Sequence, residues 1–212
     1  GSAVANAETW TGSSWTEVSD LNQARRGVMG VGASSTSALA FGGFNPGPTY
    51  YDLTETWNGS SWTEVNDLNT ARRDGGYTGD ATAALAIGGQ APTPSGNTAA
   101  TESWNGTNWT TLPATLNTDR GAAASSKIST TSALYFGGDI APGRTGLTEL
   151  YNGTSWSEQA DLSLVRRNLG GAGSGGTSAL AFGGEDSPAP SFAQTEEWTG
   201  AGAAVGAWST GG

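Results

Sequence analysis

The 212-residue chain contains neither cysteine nor histidine. Without cysteine there is no disulfide framework, no thiolate metal site and no sulfur nucleophile. Without histidine the commonest general base and the commonest metal ligand are both missing. A bound transition metal is therefore not expected, and no cofactor is called for. A hard cation such as Ca²⁺, held by loop carboxylates and carbonyls, is the one metal class these side chains could serve. Core-forming residues are scarce as well. Leu, Ile, Val and Phe together number 29, below the fraction of about one fifth under which a charged chain is suspected of disorder. Cationic groups are few: nine Lys and Arg face 19 Asp and Glu, giving a net charge of −10. That balance argues against a nucleic-acid partner, because affinity for phosphates comes from cations that release counterions. No run of about 18 apolar residues occurs, so neither a membrane-spanning helix nor a membrane partner is expected.

What the chain does contain argues against disorder. Its nine tryptophans are held in register. A glutamate stands two residues before an aromatic at Glu8/Trp10, Glu55/Trp57, Glu102/Trp104, Glu149/Tyr151 and Glu196/Trp198, each pair 47 residues after the last. Trp15, Trp62, Trp109 and Trp156 keep the same step, and the fifth copy delays its tryptophan to Trp208. Arg26, Arg73, Arg120 and Arg167 also stand 47 apart. A glycine pair closes each unit at Gly42-Gly43, Gly88-Gly89, Gly137-Gly138 and Gly183-Gly184. A fixed period of about 20–50 residues is the mark of a repeat architecture. No composition shift divides the chain. With Gly1-Ser2 set aside as a cloning scar, 3–212 reads as one domain of 47-residue repeats.

Each repeat reads as four short strands. In the second copy, Thr54–Trp57 and Trp62–Val65 form a hairpin, joined through Asn58-Gly59, a pair that tight turns with positive φ favour. A Gly-rich strand starting near Arg73 and the strand Ala83–Ile87 follow. In order of the sheet these are strands a, b, c and d, with the hairpin as c and d. Strand b carries the packing signal. In Ala38–Phe41, Ala84–Ile87, Ala133–Phe136 and Ala179–Phe182, Leu with Phe or Ile occupies one face and mostly alanine the other. A bulky face against a flat one is what identical sheets need in order to stack front to back. Four-stranded sheets stacked radially make a β-propeller.

The arginine ahead of a Gly-rich strand, the glycine doublet, the glutamate before an aromatic and the tryptophan five residues later resemble the kelch repeat. The likeness is nearest to tandem kelch-like arrays of marine bacteriophage and environmental sequences. It implies an all-β propeller of four-stranded antiparallel blades whose first strand lines a central channel. Copper oxidases built on this scaffold use histidine ligands and a cysteine cross-link, which this chain lacks. Five c–d hairpins but four a–b pairs are counted, so about five blades are expected, four of them complete. Three closures are open. The first hairpin, Glu8–Val18, could join the last a–b pair, Arg167–Phe182; five radial sheets could include one unfinished; or a partner chain could supply strands, the unpaired terminal strands offering a route to self-association.

Several residues could carry chemistry. Arg26, Arg73, Arg120 and Arg167 could ring a channel mouth, although pairing with a repeated acid such as Glu17, Glu64 or Glu158 is the plainer reading for a residue present in every repeat. Trp57 and Trp62 could stack on sugars, but cross-strand packing explains them as well. The sequons at Asn58, Asn105, Asn108 and Asn152 read as turn chemistry. Asp119, taken to stand where Arg25, Arg72 and Arg166 stand, reads as decay in the third copy. Function is better sought where the repeats disagree. The loops Phe44–Tyr51, Gln90–Ala99, Asp139–Leu147 and Glu185–Gln194 share little except Pro and Gly, and they leave the repeat at one point. Varied loops on a fixed frame are how binding surfaces are commonly built. Phe44, Tyr50, Tyr51, Arg144, Asp186 and Phe192 have most to offer a protein or glycan ligand. A non-catalytic recognition module, on a virion or outside a cell, is the expected function. A carboxylate-dependent carbohydrate-active enzyme and a ligand-free or engineered scaffold are the alternatives.

Overall fold

The computed structural model describes residues 2–47, 49–186, 191–200 and 207–210, and among these every regular element is a strand. A lone hairpin comes first, β1 (Ala7–Trp10) and β2 (Trp15–Val18). The first sheet holds β3 (Met29–Ser34), β4 (Ser37–Phe41), β7 (Thr54–Trp57) and β8 (Trp62–Glu64), with the small ribbon β5 (Phe44–Asn45) and β6 (Thr49–Tyr50) projecting between them. The second holds β9 (Gly76–Gly79), β10 (Ala84–Ile87), β11 (Thr101–Trp104) and β12 (Trp109–Thr111). The third holds β13 (Ala124–Ser125), β14 (Ala133–Phe136), β15 (Thr148–Tyr151) and β16 (Trp156–Glu158). The fourth holds β17 (Gly170–Gly175), β18 (Ser178–Phe182), β19 (Thr195–Thr199) and β20 (Ala207–Thr210). Each sheet is an antiparallel meander, and the first strands β3, β9, β13 and β17, Gly-rich in all but the third blade, are neighbours around the axis.

The structure is thus a β-propeller of four complete blades plus an unfinished fifth unit. Strands β19 and β20 take the c and d places of the last blade, so Glu8–Val18 does not close it.

The cores lie between blades, as the two faces of strand b require. Leu39 and Phe41 of the first blade cluster with Ala84, Ala86 and Trp109 of the second. Leu85 and Ile87 meet Ala133, Tyr135 and Trp156, and Leu134 and Phe136 meet Ala179, Ala181 and Trp208. In the second, third and fourth blades the second tryptophan of the hairpin reaches one blade back. Trp109, Trp156 and Trp208 donate their indole N–H to the hydroxyls of Thr54, Thr101 and Thr148, each at 3.0 Å.

Inside each blade a fully buried ion pair ties the segment before strand a to strand c. Arg25–Glu55, Arg72–Glu102, Arg120–Glu149 and Arg166–Glu196 are all at most 3% exposed. The arginine is, Arg120 excepted, the one before the expected Arg26, Arg73 or Arg167, and the acid is the repeated Glu-x-aromatic glutamate, not Glu17, Glu64 or Glu158. Its second carboxylate oxygen also accepts the backbone N–H of Asn22, Asn69, Asn117 or Ser163. The third copy is shifted, not decayed. Trp109 to Leu116 is one residue longer than Trp62 to Leu68. Arg120 therefore fills the buried slot of Arg25, Arg72 and Arg166, and Asp119 matches Ala71.

The hairpin turns also differ from expectation. Trp57 pairs directly with Trp62, leaving a four-residue loop in which Asn58 Oδ1 accepts the backbone N–H groups of Ser60 and Ser61. The asparagine acts through its side chain, and Gly59 alone supplies the positive φ, 96°.

Candidate functional site

The glycine doublets set the loops on one end of the disc. Gly42 and Gly43 have φ of 66° and 107°, and a Cβ on Gly42 would lie 2.5 Å from the Arg72 carbonyl, so larger residues are excluded there. Gly43, Gly89 and Gly138 donate their backbone N–H to the carbonyls of Arg72, Arg120 and Arg166 in the next blade. The residue after each doublet bridges to the position after the buried arginine, pairing Arg26 with Phe44, Arg73 with Gln90, Gly121 with Asp139 and Arg167 with Glu185. Four equivalent places around the axis thus carry Phe, Gln, Asp and Glu.

The proposed arginine ring is correspondingly incomplete. Arg26, Arg73 and Arg167 reach this face, but Arg120 is buried with Glu149 and Gly121 stands in its place. Phe44 lies against two guanidinium groups, 4.4 Å from Arg26 and 3.9 Å from Arg73, and Tyr50 lies 5.6 Å from Arg73. Such contacts favour the cation over the ring face and hold the aromatic in place. Tyr51 contributes its backbone: its N–H donates to the Gly43 carbonyl and its carbonyl accepts from Arg72 N–H.

The other side of the face is an ion-pair network. Asp139 accepts from Arg167 Nη1 at 3.0 Å and lies 3.8 Å from Arg144 Nε. Arg167 Nε donates to Glu185 at 3.0 Å, and Arg144 Nη1 lies 3.6 Å from Asp186. The hydrogen bond to Asp139 raises the pKa of Arg167 above its ordinary value, so the cation persists. Arg144, Arg167 and Asp139 line one depression of about 520 Å³ together with Tyr50, Gln90, Ser95 and Asn97. Of the candidates, the structure brings Tyr50, Arg144 and Arg167 together in this cavity, with Asp186 at its edge. Phe192 lies elsewhere, in a smaller depression of about 260 Å³ with Asn168 and Glu185. Among the described residues no three or more carboxylates converge where a metal ion would sit.

One residue escaped notice in the sequence. Lys127 is the single lysine, and its Nζ lies 3.5 Å from the Tyr77 ring centre in a depression shared with Gly30, Gly32 and Gly79. Burial lowers its pKa to about 8, against the pull of the Tyr77 ring toward the ammonium form. Its uniqueness in a repeat protein was the available signal.

One solved structure similar to this chain is titled "Structure of YjhT". It matches with a TM-score of 0.76 at 14% sequence identity, covering 92% of this chain and 72% of that one. At that identity the likeness establishes the propeller fold alone. No protein-family model matches the chain, and no curated protein does.

Proposed function

We propose that this propeller, of kelch type and akin to phage-borne arrays, is a non-catalytic recognition module acting on a virion or outside a cell. Its loop face holds a glycan or a polar protein surface. The observation that carries this reading is the contrast at the four equivalent places after the glycine doublets. The frame there is the same in every blade, yet the side chains are Phe44, Gln90, Asp139 and Glu185. The 520 Å³ depression suits a hydroxylated ligand in particular. Tyr50 offers a ring for stacking, Gln90 and Asn97 offer amides, and the Arg144–Asp139–Arg167 network fixes donors and acceptors without freeing a carboxylate.

Glycan arrays and a protein-binding screen supply the ligand. Tyr50→Ala and Arg144→Ala should then each weaken binding by about tenfold or more, since Tyr and Arg dominate binding hot spots. Their melting midpoints should stay near that of the parent. Normal binding by both variants would refute the loop-face assignment.

A further inference from the structure

The hairpin β1–β2 is a c–d pair without its a–b pair, and the molecule shows four times what belongs there. In each complete blade strand b pairs with strand c so that its third core residue faces the glutamate: Ala40 with Glu55, Ala86 with Glu102, Tyr135 with Glu149 and Ala181 with Glu196. The arginine ahead of strand a then closes on that glutamate. In the hairpin, Glu8 holds the same place, is exposed, and makes no ion pair among the described residues. No strand pairs with the outer edge of β1 among the described residues.

The apolar surfaces tell the same story on both sides of the gap. Between the hairpin and the first blade lies a cavity of about 430 Å³, lined by Trp10, Trp15, Ala38, Trp57 and Trp62. Trp10 and Trp15 are 50% and 64% exposed, whereas their counterparts Trp104 and Trp109 are 1% and 6% exposed. In the interior interfaces this space receives the Phe or Ile of the preceding strand b: Phe41 sits 4.8 Å from Trp109, Phe136 sits 4.8 Å from Trp208, and Ile87 clusters with Trp156. On the far side, Leu180 and Phe182 of the last blade are 40% and 42% exposed, while Leu39 and Phe41 are at most 1% exposed. The flat face of the next strand b covers this surface at every other interface, Ala84 and Ala86, Ala133 and Tyr135, or Ala179 and Ala181.

The backbone at the axis has matching open ends. Asp74 N–H donates to the Gly27 carbonyl, Ala122 N–H to Asp74 and Asn168 N–H to Ala122. No such bond joins Gly27 N–H to the Asn168 carbonyl. A residue placed between them would accept from the first and donate to the second.

We infer that the β1 edge is an acceptor site for an added two-stranded β-ribbon, one with arginine just before its first, Gly-rich strand and an Ala-Leu-Ala-Phe-type second strand. The arginine pairs with Glu8, the Leu and Phe fill the 430 Å³ cavity, and the alanine face covers Leu180 and Phe182. The ring then closes as five blades. This is strand addition to a sheet edge, with specificity set by one buried charge pair.

A peptide with the sequence of residues 22–44, the first blade's own ribbon, is the probe. Titrated into the whole chain, it should bind one to one, shift the fluorescence of Trp10 and Trp15 to the blue and raise the melting midpoint. Glu8→Gln in the chain, or Arg25→Gln in the peptide, should weaken binding by about a hundredfold or more, as loss of one partner of a buried pair does. Equal binding by the Gln forms would overturn the inference. So would self-association of the chain that the peptide fails to disperse, because a second copy would then hold the edge. The same ribbon fused ahead of Ser2 removes any dependence on peptide solubility. An unchanged midpoint and fluorescence in that fusion would also overturn it.

Discussion

Changing Glu102 to Gln should be among the most damaging conservative substitutions in this protein. Arg72 and Glu102 are both 0% exposed, so the change strands a guanidinium away from water. It also weakens acceptance of three further donors, Asn69 N–H at 2.7 Å, Asn69 Nδ2 at 2.9 Å and Thr70 N–H at 3.1 Å. Removing one partner of a buried pair costs about 3–5 kcal/mol, a large part of the whole stability of a typical domain. The double change Arg72→Met with Glu102→Gln should cost less than the sum of the single changes, because no buried charge is then left over. It should not restore the parent. Arg72 Nη1 donates to the carbonyls of Gly88 and Ala100 at 3.0 and 2.8 Å, and each would lose a donor at about 1–3 kcal/mol. Urea unfolding followed by tryptophan fluorescence supplies the midpoints, and an unchanged m-value licenses their comparison. The coupling between the two changes should be about 1–3 kcal/mol. A single Gln variant that loses less than about 1 kcal/mol, or a double variant that loses the full sum, would refute the reasoning.

Leu85→Ala and Trp57→Ala remove side chains that are 1% and 7% exposed, and each should cost about 2–5 kcal/mol by the same unfolding assay. Ala7→Thr should stabilise the chain by about 1 kcal/mol. The indole N–H of Trp62 is buried without a partner, and position 7 is where Thr54, Thr101 and Thr148 supply a hydroxyl to the other blades. Lys127 should make stability rise with pH above about 8. Its folded pKa is lowered from 10.5 to about 8, so in that window the unfolded chain binds the extra proton and raising the pH favours the fold. Melting midpoints from pH 7 to 10 should show the rise, and Lys127→Met should abolish it.

The blade stacking was legible because period-2 patterning in Ala84–Ile87 and its counterparts states directly which face is bulky and which is flat. The buried ion pairs were not read, although their signal was present. Arginine and glutamate recur together in every complete repeat, separated by 30 residues in the first, second and fourth blades and by 29 in the third. Sequence proximity suggested other acids, and only the return of strand c beside strand a brings these partners together. Counting by equal steps also misplaced Arg120, because a one-residue insertion before Leu116 is undone before Glu149 and leaves the outer landmarks in phase. At the loop face, candidate residues could be chosen by their divergence. Which of them meet could not be read. The joining of Tyr50 with Arg144 and Arg167 depends on how three loops from different blades curl over the axis, and no local pattern encodes that.

The interfaces between blades all point the same way. Phe41, Ile87 and Phe136 reach forward to the next blade's second tryptophan, the indoles of Trp109, Trp156 and Trp208 reach back to a threonine, and the axial N–H groups of Asp74, Ala122 and Asn168 donate to the preceding blade. The two exposed ends therefore differ, like the two ends of a screw thread. A two-fold axis requires a patch that complements itself, so symmetric pairing of identical ends gains none of these contacts. Copies meeting through these ends would have to join head to tail, and only the rotation per copy would decide between a closed ring and a growing fibre.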